Sequence, residues 1–208
     1  RAIPGSPILL KWTREDEHAW EPYAPPMAVD LTATLNETRI AAYSAEVCSD
    51  THRSRPRPGA DRAGPSKLLA NRFLAEPINP KPATPNMGNH AGMHRNLEPI
   101  YDSAETRLVK NLIPDIAHRT SAMRCLGGAA NVFALESFMD ELAPRANLDP
   151  IEFRRRHLTN ARDRAVLDEL DRQVRANPKS AGRGVAYAQY KNQMARVGLC
   201  VDIDINDR

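Results

Sequence analysis

The 208-residue sequence is short of aromatic residues, which make up 5% of it, and holds only three cysteines. Cys48, Cys125 and Cys200 are far apart, odd in number and outside any CxxC or Cys/His ligand spacing. That argues against a disulfide scaffold and against a cysteine-built zinc site. No run approaches the roughly 20 apolar residues that span a bilayer, so no transmembrane segment is expected. A secretory signal with basic start, apolar middle and small-residue cleavage site is lacking as well. Charge of one sign is also missing: 29 basic and 26 acidic residues leave a net +3, too little to imply nucleic acid or an anionic membrane as partner.

What is present is a charged fraction of 26% and a hydrophobic fraction of 41%, a balance that speaks for a folded chain. Seventeen prolines outnumber ten glycines, and because helices and central strands reject proline, that load must be concentrated somewhere. Residues 51–100 hold eight of the prolines and four of the glycines, with Arg53, Arg55, Arg57 and Arg62 interspersed. They read as a long insertion loop, with a helical turn at Leu68 to Leu74 and less order than the rest. Its His90 and His94 have the i, i+4 spacing of metal ligands on a helix, but Gly88, Gly92 and the prolines speak against a helix there.

Before the insertion, Ile8, Leu9, Leu10 and Trp12 suggest a short strand, followed by a helical turn or two. The alternation of Val29, Leu31, Ala33 and Leu35, a turn at Asn36-Glu37 and the return of Ile40, Tyr43 and Val47 predict a hairpin. After it, Thr106 to Ala117 reads as an irregular or edge strand interrupted by Pro114. A helix follows in which Val132, Leu135, Met139 and Leu142 form one stripe, bordered by Phe138 and stopped by Pro144. Asp149-Pro150 with Glu152 marks a second helix start, and Ala161 to Ala176 a third helix that buries Val166, Leu167, Leu170 and Val174. Val185 to Tyr190 and Val197 to Ile205 close the chain as a strand pair. The fold class is α+β, a mixed and mostly antiparallel sheet with helices on one side. The segments are 1–50, strand, helix and hairpin; 51–100, the insertion; 101–181, a loop and three helices; and 182–208, the last strands. Both ends look cut, as in an internal fragment of a longer polypeptide, so the compartment, bacterial cytoplasm or periplasm, stays open.

Chemistry concentrates at Arg124-Cys125-Leu126-Gly127-Gly128, where an extended run meets a helix. Glycines let the backbone turn and approach a ligand, and the first N–H groups of a helix favour an anion. Arg124 adds a permanent charge with a fork of donors. Read without context, the same residues also suit a plain strand-to-helix connection. Three further groups read more simply as structure. Glu136, Glu141 and Glu152 lie on helices, as surface or helix-dipole residues. Arg154-Arg155-Arg156 with Arg162 and Arg164 is diluted by Asp163, Asp168, Glu169 and Asp171 into a solvated face. Cys125 is a small packing residue more readily than a reactive thiol. His118 and Arg119 precede the loop and could line a cavity beside it.

The string SAMRCLGGAANVFALESFMDELA, then NLDPIEFRRRHL, resembles the molybdenum hydroxylase superfamily, which includes xanthine dehydrogenase and aldehyde oxidase. PILLKWTREDEHAW, the late HRN at His94 to Asn96, and GRG-x-A at Gly182 to Ala186 are similar to the isoquinoline 1-oxidoreductase and nicotinate dehydrogenase type of catalytic subunit. The resemblance implies part of a molybdopterin-binding domain in which Arg124, Cys125, Leu126 and Gly127 bind the cofactor. Leu126 falls in the substrate pocket, where purine-oxidising members carry a phenylalanine, so purine specificity is doubtful. It implies no metal ligand from protein side chains. The catalytic general-base glutamate is expected C-terminal to this chain, and a glycine-rich loop facing the metal N-terminal to it, so the segment alone is expected to be inactive. The implied reaction is hydroxylation of an N-heteroaromatic or aldehyde carbon with water as oxygen donor. The implied cofactors are molybdopterin in a dinucleotide form and iron–sulfur clusters on a small [2Fe-2S] partner subunit. The rival reading is a non-catalytic α+β module that binds a partner through its basic proline-rich loop.

Overall fold

The computed structural model describes residues 4–53, 67–79, 82–114, 116–177 and 182–205. Within them lie α1 (Arg14–Trp20), β1 (Met27–Asn36), β2 (Arg39–Ser49), β3 (Glu105–Leu112), α2 (Gly128–Arg145), α3 (Pro150–Arg156), α4 (Ala161–Ala176), β4 (Gly182–Gln189) and β5 (Arg196–Ile203). Short 3-10 turns occur at Leu69–Phe73, Gly92–His94 and Tyr190–Asn192.

The predicted hairpin is present: β1 and β2 pair antiparallel from Met27 opposite Ser49 to Asn36 opposite Arg39. Alternation puts Val29, Leu31, Ala33 and Leu35 on the face that packs against the core. β3 then adds to the far side of β2 in parallel, Ala42 aligned with Glu105 and Ser49 with Leu112. β4 and β5 form a separate antiparallel ribbon, Gly182 opposite Ile203 and Gln189 opposite Arg196. The architecture is α+β and mostly antiparallel, in two sheets of three and two strands.

The core joins Tyr43, Ala45 and Val47 of β2 to Leu135, Met139 and Leu142 of α2, Phe153 of α3 and Leu167 of α4. It also takes Met93, Leu97 and Tyr101, so the later part of the proline-rich stretch is built into the molecule rather than looped away from it. Residues 54–66, the part of the 51–100 insertion that carries Arg55, Arg57 and Arg62, lie outside the described residues.

Two expectations about element ends are corrected. Ile8, Leu9 and Leu10 form no strand and are exposed, because no described neighbour offers them a ladder. The helical turns expected after them are present as α1. Thr13 caps α1, its side chain accepting from the Asp16 N–H while Asp16 accepts from the Thr13 N–H. Pro144 does not stop α2 but lies inside its last turn. The stop comes at Asn147, left-handed at φ 53, with Asn147 N–H donating to the Pro144 carbonyl and Leu148 N–H to that of Ala143. Proline removes only its own N–H bond, so one turn survives it.

Candidate functional site

The Arg124–Gly127 loop is kinked by two residues in the left-handed region, Cys125 at φ 73 and Leu126 at φ 52. Neither is glycine, and each such residue costs on the order of 1–3 kcal/mol unless its surroundings over-determine it. Here they do. The Leu126 N–H donates to the Met123 carbonyl at 3.1 Å and the Gly128 N–H to that of Cys125 at 3.0 Å. The Gly127 N–H donates to the Gly92 carbonyl at 3.0 Å. Asn131, one turn into α2, donates both Nδ2 protons across the same gap, to the Met93 carbonyl at 2.8 Å and the Arg95 carbonyl at 2.9 Å.

This contact explains Gly127. A Cβ there would lie 2.3 Å from the Met93 carbonyl oxygen, so the residue is small to let segment 92–95 approach. Of the amides at the head of α2, those of Leu126, Gly127 and Gly128 are therefore committed to protein carbonyls. Ala129 and Ala130 follow, partly or fully exposed, and among the described residues their N–H groups meet no backbone acceptor. Arg124 is exposed, and Cys125 and Leu126 are half-buried. An exposed guanidinium and two open amides at the positive end of an 18-residue helix suit an anionic group such as a phosphate or a metal-dithiolene centre.

The other motif residues are brought together as supports for this loop. Arg95 lies along the start of α2, donates to the His90 carbonyl at 3.0 Å and the Tyr190 hydroxyl at 2.7 Å, and stacks 5.3 Å from the Tyr190 ring centroid. Asn96, buried and left-handed at φ 58, donates to the Gln189 carbonyl at 2.8 Å and accepts from the Lys191 N–H at 3.1 Å. The HRN sequence thus ties the loop's support to the end of β4. His90 and His94 serve the same turn: His90 Nδ1 accepts from the Asn96 N–H, and a His94 ring nitrogen lies 2.7 Å from the Gly88 carbonyl. His118 and Arg119 face the N-terminal segment, through the Tyr23 ring and the Trp20 carbonyl respectively.

Two residues expected on the surface are in the core. Glu136 is buried, and Arg154 has no exposed area at all. Arg154 donates to Glu136 Oε2 at 2.8 Å, to the Glu136 carbonyl at 2.9 Å and to Asp140 at 2.6 Å. The Tyr101 hydroxyl and the Tyr187 N–H donate to the same Glu136 carboxylate, at 2.8 and 2.7 Å. Burial pushes the Glu136 carboxyl up, and Arg154 with the two other donors pulls against it. Burial disfavours the Arg154 charge, but Glu136, Tyr101 and Asp140 outweigh it and hold the guanidinium protonated. In the same motif His157, fully buried, lies 2.7 Å from the Phe153 carbonyl through Nδ1 and accepts from the Ile40 N–H at 3.0 Å through Nε2. Those partners require the neutral Nδ1–H form, and burial lowers its pKa accordingly. Glu152, by contrast, is bound by Arg155 and Arg156 in the open, as expected.

A polar knot at the end of β2 was not foreseen. Asp50 accepts from the Thr120 hydroxyl at 2.6 Å, Ser49 donates to the Pro26 carbonyl at 2.9 Å, and His52 Nε2 lies 3.2 Å from Ser49 Oγ. Four polar residues in a row are the only trace it leaves in the sequence, and the same composition marks an ordinary turn.

The fold and the loop together define a segment with exposed amides and a guanidinium at the start of a long helix. A model of the molybdopterin cofactor-binding domain matches residues 59–158. A nicotinate dehydrogenase subunit of Pseudomonas putida is 32% identical over 88% of this chain and 15% of its own length. The beta subunit of isoquinoline 1-oxidoreductase from Brevundimonas diminuta is 30% identical over 99% of this chain and 24% of its own length. Among solved structures, the aldehyde oxidoreductase of Desulfovibrio gigas shares the fold over 79% of this chain and 18% of that one, with a TM-score of 0.50 at 16% identity. These matches all fit the molybdenum hydroxylase family, and the matched model is that of its molybdopterin-binding domain. It spans about a quarter or less of the curated relatives' lengths.

Proposed function

We propose that this chain holds one side of the molybdenum cofactor through Arg124, Cys125, Leu126 and Gly127 in a hydroxylase of N-heteroaromatic or aldehyde substrates. The carrying observation is the fixed kink at Cys125 and Leu126 at the α2 start, with Arg124 exposed before it and the amides of Ala129 and Ala130 open after it. When bound, the cofactor supplies two-electron oxidation with oxygen taken from water. The chain's own residues supply position and charge. Arg124 offers a bidentate donor to an anionic oxygen, and the α2 amides and dipole add to it. Leu126 offers an aliphatic wall to the substrate, which favours compounds that need no aromatic stacking partner. A dinucleotide form of the cofactor and a small [2Fe-2S] partner to receive the electrons complete the reading. Turnover belongs to the complete enzyme with its downstream glutamate, so this segment alone has none.

The experiment is Arg124→Ala in the native enzyme, beside Arg162→Ala on the exposed face of α4. Arg124→Ala is expected to lower molybdenum per polypeptide by roughly 10-fold or more, the scale on which charge-assisted contacts act, while thermal unfolding stays unchanged. Arg162→Ala should leave both untouched. Equal molybdenum in the two variants refutes the assignment.

A further inference from the structure

We infer that Asn131 is the positioning residue of the cofactor loop: it touches no ligand and sets where Arg124 and the open α2 amides stand. The inference rests on the proposed cofactor site. Asn131 is 3% exposed and occupies the first turn of a helix, where asparagine has no advantage of propensity. Its side chain is committed elsewhere. Both Nδ2 protons go to carbonyls of a segment more than thirty residues earlier, Met93 and Arg95, while its own N–H holds the Gly127 carbonyl at 3.0 Å. One residue therefore fixes the helix, the end of the loop and the strip beneath the loop to one another.

The orientation of that amide is determined. Turned over, its oxygen would face two carbonyl oxygens, so Oδ1 must point the other way, where it is buried and meets no donor among the described residues. Leaving a buried acceptor unmatched costs on the order of 1–3 kcal/mol. An apolar residue would avoid that cost but would orphan the Met93 and Arg95 carbonyls. The arrangement is explained if the two donated bonds are what matters, since they hold the base against which Cys125 and Leu126 stay in the left-handed region. Without them the loop can relax toward ordinary φ and carry Arg124 away from the anion.

The test uses the native enzyme with Asn131→Asp, which keeps the shape and replaces the two donors with an oxygen, and Tyr101→Phe as the comparison. The latter removes the Tyr101–Glu136 hydrogen bond in the same core, away from the loop. Molybdenum per polypeptide, the Mo(V) paramagnetic resonance signature and the unfolding temperature are measured together. Asn131→Asp is expected to lower molybdenum content about 10-fold or more, as loss of an outer partner does, with an altered signature in what remains. Reconstitution at lower pH, where the new carboxyl is protonated and can donate one bond, should restore part of the content. Tyr101→Phe should match Asn131→Asp in lost unfolding temperature and keep its molybdenum and signature. If molybdenum loss merely tracks unfolding temperature across the two variants, or if Asn131→Asp keeps both content and signature, the inference is overturned. Should Asn131→Asp fail to accumulate, Asn131→Ala, which adds no like charge, decides in the same way. An unmodified enzyme without molybdenum would instead remove the proposed site, and the inference with it.

Discussion

At the scale of single residues, the family motifs turn out to carry buried polar joints. Arg154 is the clearest case, a guanidinium with no exposed area that holds Glu136, Asp140 and a carbonyl together. Removing one member of a buried ion pair leaves the other charge stranded, at a cost of about 3–5 kcal/mol. Arg154→Met is therefore expected to lower stability by that order in urea unfolding of the native enzyme, and adding Glu136→Gln should recover part of it. A double variant no better than the single one would show that Glu136 is not the stranded group. Sequence spacing could not reveal this pair. Glu136 lies on the core side only because Tyr187 of β4 and Arg154 of α3 meet it there, and neither element's docking is visible in the periodicity of α2. Arg124, exposed at a loop, needed no such knowledge and was legible from the motif.

Among the elements, α2 and α4 were readable because their apolar stripes repeat over many turns, and the β1–β2 hairpin because it alternates strictly. Segment 88–98 was not, since it has no period: it is held by turn conformations at Gly88, His90, Gly92 and Asn96 and by single side-chain bonds. Its docking against the head of α2 also gives Gly127 a structural reason to be small, because it makes room for Met93. Gly127→Ala is accordingly expected to lower stability by roughly 1–3 kcal/mol through overpacking. Gly184→Ala, in β4 with nothing within 4 Å of the added carbon, should be near neutral. The comparison is made by thermal unfolding of the two variants, and equal midpoints would contradict the close approach of segment 92–95.

For the molecule as a whole, burial of neutral imidazoles links the fold to pH. Burial pushes the His52 pKa down from 6.5 to about 4, with Asp50 opposing and Arg95 assisting, and His157 is lowered for the same first reason. The unfolded chain thus binds protons that the folded one refuses, so stability is complete above about pH 6.5 and declines as pH falls toward 4. The unfolding midpoint in urea should drop across that window, and His52→Gln should flatten part of the drop. A midpoint independent of pH between these limits would mean that His52 is protonated in the fold.

The parallel alignment of β3 with β2 has a consequence for how the chain can vary. Aligned residues such as Ser49 and Leu112 are about sixty positions apart, so the third strand closes a long crossover that runs through the proline-rich stretch. The entropy of closing such a loop grows only as the logarithm of its length, and doubling it costs about 0.6 kcal/mol. Closure is paid almost entirely by the first few dozen residues, and further ones are nearly free. The crossover is thus the one place in this sheet where sequence can be gained or lost cheaply, while the hairpin beside it, closed by Asn36 and Arg39, tolerates no change of length without shifting its register.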